Sequence, residues 1–167
     1  MIKKYTCALT TFVLASSISI SAKAVEWINS KDAVGNIVAY TISPGDENKS
    51  SYLMYTRIDG DEELQLFNSD TYYLRNGDEI TVNIDIEGME QSYSLDGSIS
   101  EGMLVITELA NYREMKGLFA QMKMAERLQL GYSFQSRDDG EKGELLTCSV
   151  KFSLDGSNDA ITEASYN

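Results

Sequence analysis

The chain has 167 residues, with 26 acidic against 14 basic side chains, no histidine and a net charge of −12. That charge opposes binding to nucleic acid or anionic membrane and favours basic partners. The lack of histidine removes Ser-His-Asp and Cys-His nucleophile systems and the usual zinc sites.

Residues 1–24 read as a signal peptide. Lys3 and Lys4 precede an apolar run from Ala8 to Ile20, and Ala22-Lys23-Ala24 presents the small side chains that a signal peptidase accepts. The run is too short and too rich in Ser and Thr to span a bilayer, so no membrane insertion is expected after cleavage. Residues 25–167 then form one domain, large enough to bury its own core, in the periplasm or outside the cell. All 26 acids lie beyond residue 24, while Lys3, Lys4 and Lys23 leave with the leader. Eleven basic residues remain and the mature net charge is −15. Only Cys148 survives cleavage, which excludes an intramolecular disulfide.

Beyond the leader, short strand patterns recur between turn signals. Asn36–Ser43 leads into a turn holding the only proline, Pro44, and is followed by Ser51–Ile58, the tight turn Asp59-Gly60, and Glu62–Asn68. After Asn76-Gly77, the run Glu79–Ile86 sets Ile80, Val82, Ile84 and Ile86 on one face and Thr81, Asn83 and Asp85 on the other. Gln91–Leu95, a turn at Asp96-Gly97, and Met103–Thr107 complete this part.

In "MKGLFAQMKMAERLQLGYSF" (Met115–Phe134), the apolar period changes midway. Met115, Leu118, Phe119 and Met122 fall on one arc of a helix, with Lys116 and Lys123 off it. Continuing the helix would carry Glu126 onto the apolar face, so it should end near Met124 or Ala125. From Arg127 the period is two: Leu128, Leu130, Tyr132 and Phe134 share a face. The methionine stripe is therefore expected to be core rather than a peptide groove. "RDDGEKG" (Arg137–Gly143) reads as a polar hairpin loop. In the next strand Leu146, Cys148, Val150, Phe152 and Leu154 share a face, making Cys148 a small buried hydrophobe. After Asp155-Gly156 a short terminal helix should begin, with Ser157, Asn158 or Asp159 as N-cap.

The predicted fold is mainly β: an antiparallel β-sandwich with one amphipathic helix before the last two strands and a short C-terminal helix. No glycine-rich phosphate loop is present, and no cofactor is expected. Oxygen-rich stretches invite a calcium test, but a loop starting at Asp155 puts Ala160 sixth and Tyr166 twelfth, where an EF-hand needs Gly and Glu. A Ser-Lys dyad or a carboxylate pair is formally open to a hydrolase, yet acids are too common here for any pair to stand out.

The acids concentrate in two turns. Asp59, Asp61, Glu62 and Glu63 form one set, and Asp138, Asp139 and Glu141 the other. Loops carry most binding residues, so these sets are candidate contacts for a basic protein partner. Two functions fit: a non-enzymatic interaction protein of the bacterial envelope, secretion- or host-contact-associated, or an acidic inhibitor or immunity protein against a basic toxin or cell-wall hydrolase.

Four features together resemble a known group. They are Trp27, as in a Trp-containing first strand, "VNIDIEG" (Val82–Gly88), the Met115–Phe134 helix-to-strand run, and "KFSLDGSNDAI" (Lys151–Ile161). Their order is similar to that in exported proteins of the invasion-associated locus B type and in periplasmic accessory proteins encoded with type VI secretion systems. The resemblance implies a β-sandwich with no established enzymatic chemistry, acting through envelope or extracellular contacts. It brings no catalytic residues. Many members carry paired cysteines, from which the lone Cys148 departs.

Overall fold

Residues 26–43, 50–71, 74–138 and 141–166 are described by the structure, a computed structural model, with the side chains of 135–144 outside that description. The leader of residues 1–24 and the Pro44 turn therefore lie outside the described residues. The strands are β1 (Ile28–Lys31), β2 (Ile37–Ser43), β3 (Ser51–Ile58), β4 (Asp61–Phe67), β5 (Glu79–Ile86), β6 (Ser92–Ser100), β7 (Met103–Thr107), β8 (Arg127–Asp138) and β9 (Glu141–Ser153). Helix α1 (Tyr112–Met122) precedes the last two strands, and α2 (Ser157–Ala164) closes the chain, as expected.

The alternating runs pair antiparallel throughout, in the order β1-β2-β3-β4-β7-β6-β5-β8-β9. Pairing of β4 with β7 joins the expected sandwich layers into one hydrogen-bonded sheet. Its two ends are tied together just before β1 and beyond β9. The Trp27 indole N–H donates to Ser153 O at 2.9 Å, and its backbone N–H donates to Asp155 O at 2.8 Å. Leu53, Leu64, Val82, Ile84, Leu95 and Leu130 from both halves share one core with the helices.

Helix α1 buries Met115, Leu118, Phe119 and Met122, with Phe119 edge-on to Tyr55 of β3 at 4.9 Å between ring centres. Each such side chain stabilises the fold by roughly 1.5–3 kcal/mol. Met115 and Met122 are thus core, as expected of the stripe, while Met124 beyond the helix is exposed. The helix ends at Met122, where Lys123 and Ala125 close the last turn onto Phe119 O and Gln121 O.

Three local expectations are corrected. Asp96-Gly97 is not a turn: β6 runs through it, burying Tyr93, Leu95, Gly97 and Ile99 while the intervening residues face out. The reversal comes at Glu101-Gly102, both at positive φ. The alternation outweighed the local Asp-Gly signal because Gly97 lets β7 approach: a Cβ there would lie 2.8 Å from Leu104 Cδ1 and 3.3 Å from Val105 O. Gly97→Ala should therefore destabilise the fold by about 1–3 kcal/mol through overpacking, read as a lower urea midpoint. An unchanged midpoint would show that β6 and β7 separate there without cost.

The second correction concerns α2. Gly156, at φ 77°, takes its N-cap position, and the Ser157 hydroxyl donates instead to Met122 O at 2.7 Å. That bond satisfies an orphan carbonyl at the end of α1 and ties the two helices together. The third is the "RDDGEKG" loop, which is mostly strand: β8 and β9 continue to the pair Asp138↔Glu141, with a bulge between Gln135 and Arg137.

Candidate functional site

The tight Asp59-Gly60 turn, with φ 53° and 96°, returns the chain so that Arg57 faces Glu62 across the β3–β4 hairpin. Glu62 is drawn inward. The hydroxyl of buried Tyr55 donates to Glu62 Oε1 at 2.7 Å, and burial, then that carboxylate, push the Tyr55 phenol well up. Glu108, just after β7, donates its N–H to Glu62 O at 2.8 Å, while its own Oε2 accepts from Glu62 N–H at 3.4 Å.

Lys116 reaches these acids from α1. Its ammonium lies 4.0 Å from Glu108 Oε1, donates to Tyr112 Oη at 3.0 Å, and sits 4.5 Å from the centre of the Tyr112 ring. Tyr112 first, then Glu108 and Glu62, hold the Lys116 ammonium above its ordinary pKa. Arg57 is fixed by carbonyls instead: Nη1–H donates to Ser165 O at 2.6 Å and Nε–H to Gly60 O at 3.2 Å. Ser165 follows α2, whose C-terminal carbonyls favour a cation.

Between the hairpin and the two helices lies an open cleft of about 520 Å³, lined by Arg57, Glu62, Glu108, Lys116, Lys123 and Tyr166, among others. Of the exposed apolar and aromatic side chains, Tyr166 lines the cleft, Tyr112 touches its Lys116, and Ile58, Leu109 and Met124 each follow a lining residue in sequence. Tyr166 is 85% exposed and Leu109 82%, and Ile58, Tyr112 and Met124 are exposed as well. A surface combining Tyr, Met and Arg in this way is typical of protein interfaces. The two carboxylates that approach here are already engaged by Tyr55 and Lys116.

Of the acidic candidates, Asp59 and Asp61 flank the hairpin tip, Glu62 turns into the cleft, and Glu63 accepts from Gln65 Nε2 at 2.8 Å. Asp138 and Glu141 end the β8–β9 ribbon, while Asp139 lies outside the described residues. The ribbon's root abuts α1 and α2, and its tip is eleven residues away, about 36 Å at strand rise. The structure therefore does not bring the two sets together. Arg57, Glu108, Tyr112, Lys116 and Ser165 escaped sequence reasoning because four separate segments supply them. The one signal was Tyr112, off the core face of α1, with Leu109 in the turn before that helix.

Cys148 is half-buried rather than sealed in. Its thiol donates to Asp70 Oδ2 at 3.4 Å, and burial, then Asp70, push its pKa up to about 11. Alkylation at pH 8 should be at least about tenfold slower than for free cysteine, since the thiolate is the nucleophile. Asp70→Asn should speed it, and the pH profile of iodoacetamide labelling reads both. Among the described residues no group of three His, Cys, Asp or Glu side chains could hold a metal ion, and no helix is long and apolar enough to cross a membrane.

The fold is similar to the crystal structure of invasion associated protein B from Bartonella henselae. The TM-score is 0.54, with 14% identity over 87% of this chain and 96% of that one. No protein-family profile and no curated protein matches the sequence.

Proposed function

We propose that the chain is an exported bacterial protein of the envelope or host-contact kind, which works by holding a protein partner rather than by catalysis. The observation that carries this reading is the exposure of two tyrosines at one cleft, Tyr166 in its lining and Tyr112 in contact with its Lys116. Exposed aromatic side chains beside a cleft are characteristic of interaction surfaces. The leader pattern of residues 1–24 and the fold shared with an invasion associated protein support the export and contact aspects.

The test begins with protein produced with its own leader. Intact mass should show a chain starting at Val25 in the periplasmic or external fraction. Size-exclusion chromatography of that fraction should place it in a complex larger than the 143-residue chain alone. Changing Tyr112 and Tyr166 together to Ala should release the monomer while leaving the circular dichroism spectrum unchanged. A cytoplasmic protein retaining residues 1–24, or a complex indifferent to both tyrosines, would contradict the proposal.

A further inference from the structure

We infer that the cleft takes an acidic side chain of the partner, a Glu or Asp carried on a segment with apolar neighbours. This deepens the proposed function and rests on it. The overall charge argues for basic partners, but the cleft has its own electrostatics. Arg57, Lys116 and Lys123, three of the eleven cations left after the leader, all line it.

Its acids are already engaged. Glu62 accepts from Tyr55, and Glu108, with a side chain only 12% exposed, faces Lys116. Among the described residues the ion pairs are Lys116–Glu108 and Arg127–Glu87, so neither Arg57 nor Lys123 has a carboxylate partner there. Arg57 uses two of its five N–H donors on neutral carbonyls, which fix the guanidinium plane and leave the others for a ligand. A guanidinium already ordered in this way loses little freedom on binding a carboxylate, and that geometry favours a planar anion. Tyr166, which lines the cleft with Arg57, and Tyr112, against Lys116, offer aromatic surface that would exclude water from the pair.

The probes are a fluorescein-labelled peptide Leu-Glu-Tyr-Glu-Leu, amidated at its C-terminus, and its counterpart with Gln for both Glu residues. Fluorescence anisotropy with the mature chain should show the Glu peptide binding about tenfold more tightly than the Gln peptide, a difference of about 1.4 kcal/mol. Arg57→Gln and Lys123→Gln should each abolish that preference, while Lys151→Gln, an exposed cation on β9, should keep it. If Arg57→Gln lowers the melting temperature by loosening α2, Lys123→Gln carries the test alone.

Equal affinity for the two peptides would overturn the inference, as would a preference surviving both cleft variants. Inorganic phosphate displacing the Glu peptide at equal concentration would also overturn it, showing a bare anion site instead. These failures differ from failure of the proposed function, which would appear as a cellular complex indifferent to Tyr112 and Tyr166.

Discussion

Trp27→Ala should cost about 3–5 kcal/mol and lower the melting temperature by about 10–15 °C, the largest effect expected of any single change here. Trp27 is buried, and it bonds the chain's first described segment to its last alongside Asn29, whose amide donates to Glu163. Its ring fills the space where the start of β1 meets the end of β9, and its indole N–H satisfies Ser153 O. Removing the ring leaves a cavity and an orphaned carbonyl together. Trp27→Phe keeps most of the packing and loses only the donor, so about 1–2 kcal/mol is expected. Circular dichroism through a urea titration measures both, since the sole tryptophan is lost. A Trp27→Ala midpoint matching wild type would show that the ends of the sheet are held elsewhere.

Asn111→Ala should follow at about 2–4 kcal/mol. The register of β7 on β6 begins at Ser98↔Val105, which leaves the β7-facing backbone of Asp96 without a strand partner. The Asn111 side chain takes that place. Its Oδ1 accepts from Asp96 N–H at 2.8 Å, and its Nδ2 donates to Asp96 O at 2.8 Å and Thr107 O at 3.2 Å. An amide there acts as a short piece of strand, fastening the start of α1 to the sheet. Asn111→Asp keeps the acceptor but sets a carboxylate against two carbonyls, so it should be at least as damaging as Ala. If Asn111→Asp unfolds at the wild-type midpoint, the side-chain amide is not what anchors the helix.

Elements whose period alone decided their state were legible in the sequence. β5 alternates without interruption, and the helix-to-strand change between Met122 and Arg127 follows from where Glu126 would have fallen. Legibility failed where a local signal competed with a distant contact. Asp96-Gly97 has turn chemistry, but Leu104, not turn preference, decided why a glycine stands there. Ser157 has cap chemistry, yet its hydroxyl is used by Met122 O, 35 residues earlier.

The cleft was the least legible part. Arg57, Glu108, Lys116 and Ser165 come together only when the β3–β4 hairpin lands between two helices, and no spacing in the chain encodes that. The acidic sets showed the converse. They were plain in composition, but composition could not say that Glu62 turns inward or that Asp138 and Glu141 lie at the far end of a long ribbon.

The claim that the cleft end is the binding surface is tested most directly by photo-crosslinking in the producing bacterium. Benzoylphenylalanine would replace Tyr112 or Tyr166 at the cleft, and Phe67 or Glu79 at the other end of the sheet, all four being exposed. Phe67 is the demanding control, because it is aromatic and 40% exposed but stands at the end of β4 away from the Asp59-Gly60 hairpin. The expected result is one protein adduct of the same mass from both tyrosine positions and none from Phe67 or Glu79. Adducts from Phe67 or Glu79 alone would contradict the account.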